Sequence, residues 1–312
     1  MGRGEQVDPH IVLTKGHVAT ERELGEYYID FVPSFSNYGE YRYGIFDENG
    51  VPLVGWAEDA HYNPITIAQY GFILHALHRR GLCREALPML QTLLAWYERN
   101  KVTYQGCLVW RQQGPSPHYR LPAGFISGMA IGEVISFYLR MYQLSGDASL
   151  LTTAESAYQF LRIPFEGGGV RRIDSEGNLW FEEYPTDPPS YVLNGFVYCL
   201  FGLYDLFRVT GKSEVGDDIQ RCLTTLRANL GRFDTGYWSL YDRLYQELVS
   251  VYYQRNVHVP QMEVLYALTG DAIFRTYAER WRGNLAPATR ILAQVMMRVR
   301  PRTARVARWL YE

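Results

Sequence analysis

Two carboxylates and a phenol lie side by side immediately before a long apolar run. They are Glu182, Glu183 and Tyr184, and prolines follow at positions 185, 188 and 189. Because proline disfavours a helix at itself and at the preceding residue, this stretch predicts a stiff loop. Ser190 is then predicted to cap a helix over residues 191–209. Ionisable groups on a rigid loop suit proton transfer, whereas a solvated acidic loop is the alternative interpretation.

This loop is one of four segments that resemble a known enzyme family. The run EEYPTDPPSYVLNGFVYCLFGLYDL at 182–206 resembles the signature of the D-glucuronyl C5-epimerases, which convert glucuronate to iduronate within heparan-type polysaccharides. The other segments are YNPITIAQYG at 62–71, SGMAIGE at 127–133, and FDTG with SLYD between 233 and 242. The resemblance is collinear over residues 60–285, and it is more specific for the family than for the substrate.

The resemblance implies roles for individual residues. Glu183 and Tyr184 match the catalytic acidic residue and tyrosine of the family's E-E-Y-P-T motif, and Tyr241 matches the tyrosine of its T-I-Y-D segment. Asn194 matches a substrate-contacting asparagine. We therefore expect Tyr184→Phe and Tyr241→Phe each to abolish the reaction, with a packing role as the alternative for both tyrosines.

Epimerisation at C5 removes the proton next to a carboxylate and returns a proton to the opposite face of the sugar. It needs two proton-transfer groups, a clamp for the carboxylate and neutralisation of an enediolate, but no redox cofactor. Because free tyrosine titrates at about pH 10, a tyrosine base needs a nearby cation or hydrogen-bond donor that stabilises its phenolate. Arg243 is the candidate cation, for this role or for the uronate carboxylate, although it follows Tyr241 by two positions where the family has three.

The segment 252–261 departs from the family's Y-H-x-x-H-I-N-Q pattern. His258 and Gln261 align with the second histidine and the glutamine, which puts the family's tyrosine position on Gln254. A slip of one residue brings Tyr253 into register and makes it the catalytic candidate; the alternative is that the chain lacks this group and that its substrate or reaction differs. His258 is a substrate-binding candidate, with a structural hydrogen bond as the alternative. Two further candidates for the cleft wall, around the start of a predicted inner helix, are Tyr62 and Gln69.

Composition indicates a globular protein without a global charge field. The 312 residues are 47% hydrophobic with a net charge of −2, so a polyanionic substrate must be held by a local basic groove, and nucleic acid is not an expected partner. The four cysteines form no C-x-x-C pair, so neither a disulfide framework nor a metal site is expected. Residues 1–20 lack a signal-peptide core and no run of about 18 apolar residues occurs, so the expected location is cytoplasmic.

A repeat of about 60 residues predicts the architecture. Each of four copies consists of a helix, a glycine-containing turn and a second helix. Four such hairpins predict a mainly α fold, an α/α toroid around a central cleft, with an open superhelix as the alternative. Long inserts would meet at one mouth of the toroid. One insert, residues 167–181, is predicted to be a β-hairpin that leads to the Glu183 loop.

Three parts are predicted along the chain. Residues 1–60 form a short β-rich or extended arm, residues 61–288 the catalytic toroid, and residues 289–312 a basic tail. The tail carries an apolar helical stripe that is predicted to break at Pro301. A basic amphipathic end of this kind can lie peripherally on the inner face of an anionic membrane, or it can pack on the toroid as one more helix.

These observations predict a D-glucuronyl C5-epimerase that acts on a glucuronate-containing oligo- or polysaccharide without a cofactor, and a homodimer is one option for its assembly. The first alternative is a polysaccharide lyase, which abstracts the same proton and then expels the O4 substituent. The second is a glycoside hydrolase that pairs Glu183 with Asp234 or Asp242. The third is a protein that binds a glycan without catalysing any reaction on it.

Overall fold

The computed structural model describes residues 11–35, 45–55 and 57–309. Part of the predicted N-terminal arm, with Tyr38, Tyr41 and Tyr43, therefore lies outside the described residues. Within the described ranges the chain is mainly helical, and its short strands form two-stranded antiparallel pairs.

Four helical hairpins form the body of the chain, as the repeat predicts. The first two are α1 (Pro64–Arg79) with α2 (Ala86–Asn100) and α3 (Gly128–Ser145) with α4 (Ala148–Leu161). The third is α5 (Leu193–Thr210) with α6 (Ser213–Asn229). A short helix α7 (Val251–Tyr253) and a π-helical turn (Gln254–His258) precede the fourth, α8 (Val259–Thr269) with α9 (Ala272–Gly283).

The turns of two hairpins show why the repeated Gly-Asp pairs occur. Gly146 and Gly270 end their helices in the left-handed conformation, with φ of 74° and 70°. The next residues, Asp147 and Asp271, begin the following helices, because each carboxylate accepts a hydrogen bond from a backbone N–H two residues on. The predicted glycine caps are confirmed here.

The hairpins form an α/α toroid with α1, α3, α5 and α8 on the inside. The central inner helix α3 packs against both α1 and α5. The α3–α5 crossing is close, since a Cβ at Gly132 would lie 2.4 Å from the Cα of Cys199, and one at Gly202 would lie 2.2 Å from the carbonyl oxygen of Gly132. Only glycine lets the two backbones approach this far.

Four antiparallel strand pairs connect to this helical body in the described residues. They are β1 (Thr14–Lys15) with β2 (Ile29–Asp30), β3 (Leu53–Val54) with β4 (His61–Tyr62), β5 (Val102–Tyr104) with β6 (Cys107–Val109), and β7 (Arg171–Ile173) with β8 (Leu179–Phe181). The last pair is the predicted β-hairpin. The carboxylate of Asp174 holds its turn by accepting hydrogen bonds from the N–H groups of Glu176 and Asn178, both at 2.9 Å.

The N-terminal arm joins the fourth hairpin to the first. Strands β1 and β2 contact α8. The side chain of Asn256 accepts a hydrogen bond from the N–H of Leu13 at 2.9 Å and donates one to the carbonyl of Ile11 at 3.2 Å. On the other side, the ring of Tyr27 stacks on Phe72 of α1 with centroids 3.8 Å apart. The arm is thus part of the wall that encloses the centre of the toroid.

The basic tail forms α10 (Pro287–Trp309). The predicted break at Pro301 is wrong, because the helix continues through this residue to Trp309. Ala293 is fully buried against Trp238 and Val249. Leu292, Val295 and Val299 of the same helix are exposed, as is Ile291 at the edge of the cavity described below.

All four cysteines are free, and Cys107, Cys199 and Cys222 are buried. Among the residues that the structure describes, none of the helices combines the length and apolar character that crossing a membrane requires.

Candidate active site

A cavity of about 980 Å³ lies at the end of the toroid where the inner helices begin. Asn63 caps α1 and Ser127 caps α3 at this end, and α5 begins beside them. Helix N-termini carry partial positive charge, which favours anionic groups. Six sequence-predicted residues line the cavity: Gln69, Glu183, Tyr184, Asn194, Tyr241 and Tyr253.

Glu182 anchors the loop that presents Glu183. Its buried carboxylate accepts hydrogen bonds from the hydroxyl of Ser190 at 2.5 Å and from the N–H of Tyr191 at 3.2 Å. The prediction that Ser190 caps the next helix is therefore wrong, because its hydroxyl is engaged by Glu182 and by the carbonyl of Tyr184. The helix begins at Leu193 instead. The stiffness of this loop comes from a buried carboxylate as well as from its prolines.

Glu183 lies at the inner wall of the cavity with only 3% of its surface exposed. A Cβ on Gly195 would stand 2.1 Å from its Oε2 atom, so glycine at the first turn of α5 makes room for the carboxyl group. Burial raises the pKa of Glu183 to about 7, although hydrogen bonds from the phenols of Tyr184 and Tyr241 act in the opposite direction. A carboxyl group of this kind can take or release a proton near neutral pH.

Two further phenols continue from Glu183 along the cavity wall. The hydroxyl of Tyr241 donates to Oε1 of Glu183 at 3.4 Å, and the Tyr241 and Tyr253 rings meet edge to face with centroids 5.5 Å apart. A hydrogen bond also joins the two phenols, and desolvation raises the pKa of both well above 10. Both phenols are therefore protonated at physiological pH, which suits them to donate protons and does not favour a phenolate base.

Tyr184 forms the side of the cavity next to Glu183. Its ring stacks on Tyr119 with centroids 4.1 Å apart, and the Tyr119 hydroxyl donates to Asp242 at 2.5 Å. Asp242 also accepts two backbone N–H groups, and Asp234 pairs with Arg280 at 2.6 Å. Neither aspartate belongs to the described cavity wall, so the pairing of Glu183 with Asp234 or Asp242 that the hydrolase hypothesis requires has no support in the lining of this cavity.

The side chains of Tyr253 and Gln254, on either side of the start of the π-helical turn, lie in different environments. Tyr253 lines the cavity, whereas Gln254 is fully buried and bonds Ser239 and the carbonyl of Trp281. A π-helical turn holds one residue more than an α-helical turn. Tyr253 and His258 are separated by five positions, yet their rings remain in edge-to-face contact at 5.6 Å. The extra residue in the turn is compatible with the one-residue slip that brings Tyr253 into register.

Arg243 makes these contacts outside the cavity wall. Its guanidinium donates to Asn229 at 3.1 Å and lies over the ring of Tyr191 at 5.2 Å. Arg243 is absent from the described cavity wall, so its candidate role as a cation for Tyr241 or for the uronate carboxylate gains no support and stays a prediction.

Tyr62 and His258 also lie outside the described cavity wall. The Tyr62 hydroxyl donates to Asp47 at 2.8 Å. His258 is fully buried, with Nδ1 2.9 Å from the hydroxyl of Ser239, and burial lowers its pKa to about 3. Neither residue is placed to bind substrate directly, and the structural alternative holds for His258.

A buried acid behind Gln69 was missed in the sequence. The amide of Gln69 donates to Oε1 of Glu133 at 3.0 Å, and burial raises the pKa of Glu133 well above its usual value. An acidic residue within the apolar run of α3 was the available signal, because glutamate is almost never fully buried unless it is paired. On the opposite wall, the backbone carbonyl of Asn194 accepts a hydrogen bond from Gln261 at 3.0 Å.

Two arginines at the cavity were also missed. They are Arg255 in the π-helical turn and Arg290 in α10. Arg255 lies within the 252–261 segment but at a position that the family pattern does not specify, and Arg290 lies outside the segments that resemble the family. Among the residues described, no group of three or more His, Cys, Asp and Glu side chains could hold a metal ion.

Comparison with known proteins places this geometry in context. The family model for the D-glucuronyl C5-epimerase C-terminus matches residues 107–283. A D-glucuronyl C5-epimerase from Caenorhabditis elegans is 33% identical over 180 residues, which cover 52% of this chain and 29% of that protein. An uncharacterised protein from Methanocaldococcus jannaschii is 30% identical over 178 residues, covering 56% of this chain and 57% of its own length. The chain thus spans less than two thirds of these relatives.

Among solved structures, the GH76 α-mannanase of Bacteroides thetaiotaomicron is similar with a TM-score of 0.54. The match has 11% sequence identity and covers 80% of this chain and 65% of that one. The likeness concerns the fold alone.

Proposed function

This chain belongs to the family of D-glucuronyl C5-epimerase C-terminal domains, and we propose that it is an enzyme that inverts C5 of D-glucuronyl residues in a glycan. The observation that carries the proposal is the contiguous set of Glu183, Tyr241 and Tyr253 in one cavity. The set combines a carboxyl group that titrates near neutral pH with phenols that stay protonated. Base and acid are the two groups that epimerisation requires.

In the proposed reaction, the ionised carboxylate of Glu183 takes the C5 proton and leaves an enediolate on the sugar carboxylate. Phenolic donors and the N-terminal ends of the inner helices stabilise the new negative charge. Tyr253 then donates its phenolic proton to the opposite face of C5, which gives L-iduronate. The proton on Glu183 passes through the Tyr241 hydroxyl to the Tyr253 phenolate, which restores the starting state without a net gain or loss of protons.

The decisive experiment incubates the protein with a glucuronate-containing glycan in deuterated water. Incorporation of deuterium at C5 with formation of iduronate supports the proposal. New absorbance of an unsaturated uronate would identify a lyase, because that reaction shares the abstraction of the C5 proton and then expels the O4 substituent. New reducing ends without unsaturation would identify a hydrolase, and binding without any reaction would leave a glycan-binding protein.

A further inference from the structure

Helix α10 completes the cavity from outside the region that the family model matches. The matched residues end at 283, and α10 begins at Pro287. Its first turns contribute Arg290, Ile291 and Gln294 to the wall. The family match therefore does not account for this side of the cavity.

Core packing fixes the position of α10 relative to the proton-transfer groups. Ala293 is fully buried with Trp238 and Val249, and Met297 packs against the same cluster. Tyr241 and Tyr253 also pack against this cluster. The helix that carries Arg290 and the two phenols therefore share one rigid support.

Arg290 is suited to bind an anion. Within the described part of the chain, no hydrogen bond or ion pair holds its half-buried guanidinium, and α10 contains no acidic residue that could neutralise it. Arg255, on the same wall, adds positive charge. A guanidinium binds carboxylate or sulfate through two parallel hydrogen bonds, which makes such a contact strong and selective.

The size of the cavity leaves room for more than the reacting sugar. About 980 Å³ is at the upper end of the range for ligand pockets. We propose that Arg290 binds a second acidic group, on a sugar next to the reacting uronate, and thereby selects polyanionic glycan chains. This inference rests on the proposed function, since it takes Glu183 as the place of the reacting residue.

The test compares Arg290→Gln with Arg298→Gln, which removes the same charge from an exposed position of the same helix outside the cavity wall. Calorimetry measures the Kd of glucuronate oligosaccharides that carry one or two uronates, with sulfated and unsulfated forms of each. We expect Arg290→Gln to raise the Kd of the two-uronate glycan roughly tenfold, as for loss of one charge-assisted hydrogen bond. The single-uronate glycan and the Arg298→Gln variant should show little change.

Several outcomes separate this inference from the proposed function. A larger effect on sulfated than on unsulfated glycans identifies sulfate, and not carboxylate, as the bound group. Equal shifts of Kd in the two variants, or no shift in Arg290→Gln, overturn the role of Arg290 even if C5 exchange occurs. Binding that depends on Arg290 without any C5 exchange supports the role of Arg290 and overturns the epimerase assignment instead.

Discussion

At the scale of single residues, the proposed chemistry depends on the environment of Glu183. Its carboxyl group is buried, and Gly195 provides the space that it occupies beside the first turn of α5. Burial disfavours the charged form, while the phenols that donate to it favour that form. Their balance sets the pKa near neutrality, where a general base is most effective.

The first prediction concerns the pH dependence of the reaction. Burial raises the pKa of Glu183 to about 7, so the base is lost as pH falls through this value. We expect kcat/KM for C5 exchange to fall about tenfold per pH unit below the pKa, and Glu183→Gln to lower kcat by about 10²–10⁴. Exchange measured from acidic to alkaline pH checks both. A flat profile would exclude Glu183 as the base.

The second prediction concerns stability. The folded pKa of Glu183 is above its unfolded value, so the native state loses stability as pH rises from the unfolded toward the folded pKa. Glu183→Gln removes that loss. We compare the free energy of unfolding of the variant with that of the original protein at two pH values, and we expect this difference to be about 2 kcal/mol more favourable to the variant at pH 8 than at pH 5. Denaturant unfolding of both proteins at each pH measures the two differences. If the difference between variant and original is the same at pH 5 and pH 8, the raised pKa of Glu183 is contradicted.

The third prediction concerns the phenols. We expect Tyr184→Phe, Tyr241→Phe and Tyr253→Phe each to lower kcat by about 10²–10⁴, because each removes a hydroxyl that donates a proton or a hydrogen bond in the cavity. Tyr62→Phe is the control, since the Tyr62 hydroxyl bonds Asp47 outside the cavity wall. Rates of C5 exchange, with thermal unfolding to verify the fold, distinguish the four variants. Near-normal exchange in the Tyr253 variant would remove it as the acid.

At the scale of elements, the cavity depends on packing between segments that are distant in sequence.

The fourth prediction uses Ala293, which packs against Trp238 beneath α10. We expect Ala293→Gln to displace α10 and to lower both thermal stability and kcat/KM, because a longer polar side chain does not fit a fully buried site. Ala288→Gln makes the same change at an exposed position of α10. If Ala293→Gln and Ala288→Gln have the same kcat/KM and the same thermal stability, the packing of α10 is not needed for activity.

At the scale of the whole molecule, α10 presents a basic apolar surface to its surroundings. Leu292, Val295 and Val299 are 46%, 47% and 50% exposed, and the sequence from Arg290 onward has no acidic residue before Glu312. This combination is typical of helices that lie on anionic membranes. The peripheral membrane contact and the cytoplasmic inner-face location remain proposals on this ground. The homodimer and the division into arm, toroid and tail remain predictions.

The fifth prediction tests the membrane proposal. We expect the full chain to co-sediment with anionic vesicles at low salt, because each arginine near such a surface contributes about 1 kcal/mol. Replacing Leu292, Val295 and Val299 together by Gln should abolish co-sedimentation. Leu82→Gln is the control, since Leu82 is 68% exposed at a different place. Equal sedimentation of the two variants would show that the α10 surface does not bind the membrane.

Much of the architecture could be predicted because it depends on local chemistry. The repeated helix, turn and helix pattern indicated four hairpins, and Gly146 and Gly270 end their helices as expected. The motif around Glu183 and the β-hairpin before it were also identified from sequence. Their neighbours in the chain are sufficient to determine these features.

The sequence by itself determined the helical repeat, the family and the residues that its motifs identify. Only the tertiary structure decided which of those residues share a cavity, because that depends on the direction of each side chain after packing. One extra residue in the π-helical turn leaves Tyr253 in the cavity and Gln254 in the core. Arg243 turns away to Asn229, whereas Arg290, from a segment without any motif, reaches the cavity wall through the packing of α10.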